Sequence, residues 1–242
     1  MPITTPHRIA AVALLTAAVG MSACSSSSKS SSKSTAATTA PTVAPTTTAA
    51  STATTVDPAL EAAAKSSLLV PADVGTGFTA GTYTPKDPKQ PQACGQPSID
   101  SKYPPILKVG TEIDQAQSLQ LNQDLVFYPD QATSDAALAD GIAGISCPTG
   151  TFYATDGTTT TAALTGPTDV TAQVGGTKAD EWTLKGDQFQ GVLIVVQGKT
   201  AITAFSFIAG SAADAANAPD PIAVAKKGVD KLKAGLASIP TS

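Results

Sequence analysis

The chain has 242 residues and a formal net charge of −4, with 42% hydrophobic and 14% charged side chains. This composition fits a globular protein better than a wholly disordered one. A nucleic-acid-binding protein needs a strongly basic surface, and an overall acidic chain argues against one.

Two residue types occur once each, and both lie near the start of the chain. His7 is the only histidine and Arg8 the only arginine, in a segment that we expect to be removed. Without an imidazole, the mature chain has no histidine-dependent catalytic triad and no histidine-ligated metal centre. We therefore predict no enzyme activity, no catalytic residue, no cofactor, no metal site and no nucleic-acid partner.

The N-terminus has the pattern of an export signal. A basic residue at position 8 precedes the uncharged apolar run 9–21, which is too short for a spanning helix of about 20 residues. The sequence Met21-Ser22-Ala23-Cys24 resembles the bacterial lipobox. This resemblance implies a signal peptide over 1–23 and acylation of Cys24, which places the protein on the extracytoplasmic face of the cell membrane. An ordinary secretory signal followed by a chance cysteine is the alternative.

The segment that follows is a low-complexity linker. Residues 25–56 contain 9 Ser, 10 Thr and 7 Ala, too little apolar surface to offset the chain entropy lost on folding. We predict a disordered linker over 24–56, glycosylated or plain, and one extracytoplasmic domain over 57–242.

Three helices are predicted in this domain. Asp57-Pro58 is typical of a helix start, and the helix should end at Pro71. A second helix should begin near Asp130 and end at Cys147. Asp220-Pro221 starts a third, with an apolar stripe. The stripe consists of Ile222, Ala225, Val229, Leu232, Leu236 and Ile239.

The strands are predicted from alternating or continuous apolar patterns. Segment 78–93 reads as a loop and 107–128 as one or two strands, and short strands follow near 151–155, 158–165 and 177–185. The segments 191–197 and 200–208 flank Gly198-Lys199, which favours a hairpin with a two-residue type II′ turn. Both are apolar on both faces, so we expect them at the centre of the sheet, covered on each side.

Cys94 and Cys147 remain once Cys24 is assigned to lipid. An even pair in an exported domain predicts a structural disulfide. A redox pair is the alternative, although CxxC spacing is absent.

The order of these features resembles the actinobacterial lipoproteins related to the extracellular sensor domain of the PknH-type mycobacterial kinase. Segment 68–78, Cys94, the helix into Cys147 and the hairpin 189–208 carry the resemblance. It implies an α+β domain in which helices pack against an antiparallel sheet of about six strands, with a ligand-binding cleft. A Mog1/PsbP-like sandwich is a neighbouring alternative.

We accordingly predict a non-enzymatic, sensor-like module that binds an unknown small ligand, and the sequence does not identify the residues that contact it. The alternatives are an assembly partner of another envelope protein, or a hydrolase based on carboxylates. The carboxylates for the latter would be Glu112 with Asp114, or Asp180 with Glu181. Segment 73–77 reads as a turn rather than a calcium loop, and Trp182 as a core or cleft-wall residue.

Overall fold

The computed structural model describes residues 56–116, 118–153 and 158–237. Within them, helices pack against a single antiparallel sheet of eight strands. The α+β class and the antiparallel sheet are confirmed, although eight strands replace the expected six.

The order of the strands across the sheet differs from their order along the chain. They are β1 (Thr79–Ala80), β2 (Leu107–Gln115), β3 (Leu119–Phe127), β4 (Thr149–Tyr153), β5 (Thr159–Asp169), β6 (Lys178–Lys185), β7 (Gln190–Gln197) and β8 (Ala201–Ala209). Across the sheet the order is β1-β2-β3-β8-β7-β6-β5-β4. The two strands with apolar residues on both faces, β7 and β8, are therefore central, as predicted.

Aspartate side chains cap the three longest of the described helices. They are α1 (Pro58–Ser66), α2 (Pro71–Val74), α3 (Ile99–Lys102), α4 (Gln131–Ala143), α5 (Thr171–Val174), α6 (Ala212–Ala216) and α7 (Pro221–Ala237). The carboxylates of Asp57, Asp130 and Asp220 accept hydrogen bonds from backbone N–H groups at 2.7–3.0 Å. These bonds satisfy donors that a helix leaves free, which explains the three predicted starts.

One face of the sheet carries the main core, and we call it the α7 face. Leu121, Ile194 and Phe205 are buried there against Ala225 and Val229 of α7. Leu232 is buried as predicted, but Val224 and Gly228 are buried too, so the apolar stripe is wider than its spacing indicated. Ile239 lies outside the described residues.

The opposite face is covered by α4 and by the loop that the disulfide holds. Gln197 donates its side-chain N–H to Asp135 of α4 at 2.7 Å. Cys94 and Cys147 are joined as predicted, with their Cα atoms 5.8 Å apart, and they pack on Leu164 and Leu184.

Four local predictions were wrong. Helix α4 ends at Ala143, four residues before the predicted end at Cys147. Thr79 pairs with Asp114, so segment 78–93 contains a short edge strand. Helix α1 ends at Ser66, and Pro71 starts a new helix because proline suits the first helical position. The hairpin turn lies one residue later than expected, since the Gly198 N–H bonds to the Ala201 carbonyl at 2.8 Å.

The predicted signal peptide 1–23, the lipidation site Cys24 and all of the linker except residue 56 lie outside the described residues. In the part that is described, no helix combines the length and apolar character needed to cross a membrane.

Candidate functional site

A cavity of about 180 Å³ lies between the α7 face and the chain that leads into α7. Its floor is the end of the sheet where β3 starts and β8 ends. Its sides come from the α2 region and its cover from α6 and the proline-rich link to α7. The lining includes the side chains of Val74, Phe78, Leu121, Thr183, Val192, Phe207, Ala215, Ala218 and Pro219.

The small residues of α6 explain why space remains there. The helix has the sequence AADAA, and Ala215 lines the cavity. Ser211 fixes it at its start, because its hydroxyl accepts the Asp214 N–H at 3.1 Å and donates to the Asp214 carboxylate at 2.6 Å. A cover built of methyl groups lies over the sheet without filling the space beneath it.

The core is incomplete at this end of the molecule. Phe78, Val192 and Phe207 pack against the main core but are only partly buried, and all three line the cavity. Elsewhere on the same strands, Ile194 and Phe205 are fully buried. Apolar side chains that the protein itself does not cover are available to an apolar ligand.

The lining carries no ionisable side chain. Thr183 and Gln190 supply its polar side chains, and both are neutral. Burying a charge without a partner is costly, so such a cavity selects a neutral or hydrocarbon group.

The structure brings together the first pair of candidate carboxylates. Glu112 and Asp114 both lie against Gly81 on the opposite sheet face, and a Cβ atom at Gly81 would lie only 2.6 Å from Glu112 Oε1. Burial raises the pKa of Glu112, and the charge of Asp114 raises it further. The pair lies outside the cavity, on the other side of the sheet.

The second pair is separated by the alternation of the strand. Asp180 lies on the opposite face, 3.2 Å from Lys178, whereas Glu181 lies on the α7 face. No group of three or more His, Cys, Asp or Glu side chains arranged for a metal ion occurs among residues 56–237 where described.

Asp73 stabilises a turn rather than forming a loop for calcium. Its carboxylate accepts hydrogen bonds from the Val70 N–H at 2.9 Å and from Lys231 Nζ at 2.7 Å. Lys231 also donates to the Leu68 carbonyl at 2.6 Å. These contacts fasten the α1–α2 connection to α7 beside the cavity.

Trp182 is a core residue. It is 1% exposed and lies on the sheet face opposite the cavity, next to the cavity-lining Thr183. Its Nε1 has no hydrogen-bond partner among the described residues.

Most residues of the cavity gave no signal in the sequence. Val74 and Phe78 lie in the segment that carried the family resemblance, but Ala215 and Ala218 belong to no predicted element. They meet only because the end of β8 returns the chain to the start of β3, a contact between residues far apart in sequence.

The fold has a counterpart among solved structures. The chain is similar to the extracellular domain of PknH from Mycobacterium tuberculosis, with a TM-score of 0.52 and 14% sequence identity. The match covers 72% of this chain and 96% of that domain. No family model and no curated protein matches the sequence. The two domains therefore share a fold, in agreement with the resemblance seen in the sequence.

Proposed function

We propose that the protein is a non-enzymatic, sensor-like module that binds a small apolar ligand outside the cytoplasmic membrane, to which a lipid on Cys24 attaches it. The observation that carries the proposal is the uncharged cavity beneath α6. Export is supported by the signal pattern of residues 1–24 and by a disulfide, which persists mainly in oxidising compartments. The fold shared with an extracellular domain agrees with this setting.

The size of the cavity limits the ligand. Its volume of about 180 Å³ is slightly larger than that of an engineered apolar cavity of ~150 Å³ that binds benzene. It is below the usual range of sites for larger molecules, ~300–1,000 Å³. The cavity therefore suits a small ring or the end of an acyl chain, with Thr183 or a glutamine amide available to a single polar group.

A series of linear alcohols from butanol to dodecanol tests the ligand class, with binding followed by ligand-observed NMR. We expect affinity to rise with chain length until the cavity is full and then to level off. Ala215→Leu should weaken octanol binding about tenfold or more, since each excluded methylene forfeits roughly 0.8 kcal/mol.

Ala213→Leu is the matched control, because Ala213 lies on the same helix and is exposed outside the cavity. It should leave octanol affinity unchanged. Equal affinity for octanol in the wild type and in Ala215→Leu would place binding elsewhere and overturn this assignment.

The anchor has its own experiment. Cells expressing the full chain or its Cys24→Ser variant are fed radiolabelled palmitate, and the protein is then partitioned with detergent. The wild type should carry label and enter the detergent phase, whereas the variant should do neither. An unlabelled wild-type chain would reject lipid attachment without affecting the test of the cavity.

A further inference from the structure

A second concavity lies at the other end of α7, between this helix and the β7–β8 hairpin. We call it the hairpin groove, and its volume is about 540 Å³. Its floor is apolar and consists of Val196, Ala201, Val229, Leu232 and Leu236. This volume is within the range of ligand sites.

Two lysines border the groove, and each is exposed. Lys199 belongs to the hairpin turn and Lys233 to α7. Neither forms a hydrogen bond or ion pair with a described residue, and no acidic side chain lines the groove.

The other lysines of α7 are engaged within the protein. Lys226 pairs with Asp230 at 2.5 Å, Lys227 donates to the Asp73 carbonyl at 2.6 Å, and Lys231 pairs with Asp73. Lys199 and Lys233, which border the groove, are thus the lysines whose positive charge is available to a ligand there.

An apolar floor bordered by two lysines that are unpaired in the described structure suits an anionic amphiphile. A free phosphate would use the lysines but leave the apolar floor exposed, and a neutral hydrocarbon would do the reverse. A molecule with a negative head and a hydrocarbon chain satisfies both parts of the site.

The position of the groove indicates the source of such a molecule. Leu60 at the start of α1 and Leu236 at the end of α7 pack in the same cluster, with Phe127 and Ala201. The domain thus receives the chain from the linker at the end that contains the groove. Because the linker is proposed to begin at a lipid-bearing Cys24, the nearest amphiphile is a phospholipid of the membrane itself.

We propose that the hairpin groove binds an anionic phospholipid, with hydrocarbon between α7 and the hairpin and the phosphate between Lys199 and Lys233. The choice of a membrane lipid rests on the anchoring proposed above. Binding itself does not depend on the cavity at the opposite end of α7.

The test uses the chain from residue 24 onward with Cys24→Ser, and monomeric lysophosphatidylglycerol as the probe in calorimetric titrations. The double variant Lys199→Glu/Lys233→Glu should lose at least about tenfold in affinity, because each basic residue contributes roughly 1 kcal/mol at an anionic lipid surface. Lysophosphatidylcholine, which has no net charge, should bind much more weakly, and inorganic phosphate should not compete.

Lys86→Glu/Lys89→Glu is the matched control. Both lysines are exposed, lie outside the groove and give the same change in net charge, so affinity should change less than twofold. An equal loss in this control, or full competition by inorganic phosphate, would overturn the proposal. Ala215→Leu separates the two sites, since groove binding predicts unchanged lysophosphatidylglycerol affinity, and a parallel loss would assign the lipid to the cavity instead.

Discussion

Gly228 of α7 lies directly over the ring of Phe205 in β8, and a Cβ atom at this glycine would be 2.6 Å from the ring carbons Cε1 and Cζ. Phe205 is fully buried, so its ring and neighbours would have to shift to admit a Cβ atom at position 228. The glycine therefore determines how closely α7 approaches the sheet.

Gly228→Ala should lower the free energy of unfolding by about 1–3 kcal/mol, because overpacking outweighs the gain in helix propensity. Gly141→Ala is the control, since Gly141 lies within α4 and nothing is near its absent Cβ. That variant should gain about 0.5–1 kcal/mol. Urea denaturation followed by circular dichroism measures both, and two changes of the same sign would contradict the packing described.

Removal of the disulfide should destabilise the domain without dismantling its sheet. The bond closes a loop of 53 residues and joins the Cys94 loop to the end of α4. Cys94→Ser/Cys147→Ser should cost roughly 2–4 kcal/mol in urea denaturation. The far-ultraviolet spectrum should persist, because the central strands pack against α7 on the other face. Unchanged stability would show that the loop is held without the bond.

The ion pair of Asp73 predicts a dependence of stability on pH. Burial alone would raise the pKa of Asp73, but hydrogen bonds from Lys231 and the Val70 N–H hold it below its ordinary value. A carboxyl with a lowered native pKa stabilises the fold above its unfolded pKa and loses this contribution as pH falls through the native value.

At pH 7, Asp73→Asn should therefore be less stable than the wild type by about 1–2 kcal/mol. This range is lower than for a fully buried pair, because solvent screens the partly exposed Asp73–Lys231 ion pair. The difference should shrink below about pH 4, the ordinary range for aspartate, and disappear once the wild-type carboxyl is protonated. Asp187→Asn, at an exposed position, should show no such change. A difference independent of pH would mean that the ion pair contributes nothing.

Tyr83 links the loop after β1 to the sheet. Its hydroxyl donates to Asp124 Oδ1 at 2.6 Å, and burial together with the Asp124 charge raises the pKa of the phenol. The hydroxyl thus remains a donor at neutral pH. Tyr83→Phe should cost about 1–3 kcal/mol, as expected for a hydrogen bond to a charged acceptor.

A double-mutant cycle with Asp124→Ala, which removes the acceptor oxygens, measures this link by thermal unfolding. The double variant should lose less free energy of unfolding than the two single variants lose together. The second substitution has no hydrogen bond left to break. Strict additivity would show that the hydroxyl and the carboxylate do not interact in solution.

The sequence predicted those elements whose determinants are local. The caps at Asp57, Asp130 and Asp220 and the continuous apolar pattern of β7 and β8 depend on neighbouring residues, and the structure confirms them. The Cys94–Cys147 pairing followed from cysteine number and the expected compartment.

Features that depend on distant contacts were not predicted. Strand β1 exists because Thr79 and Ala80 pair with β2, although their own sequence is typical of a loop. Gly228 belongs to the buried side of α7 because Phe205 lies beneath it, which helical periodicity of apolar residues does not reveal. The cavity combines Val74 and Phe78 with residues near the end of β8, and the groove combines the β7–β8 hairpin with α7, so no single motif marked either.

Neighbouring side chains of β6 lie on opposite faces of the sheet, and this has a practical consequence for measuring unfolding in the presence of a ligand. Trp182 is the chain's only tryptophan, and its neighbour Thr183 contributes to the cavity floor. The indole is enclosed on the far side of the sheet, so its intrinsic fluorescence reports loss of the fold, and a ligand in the proposed cavity site would not touch it. The molecule thus carries an internal optical probe of unfolding that works with or without a ligand present and needs no added label.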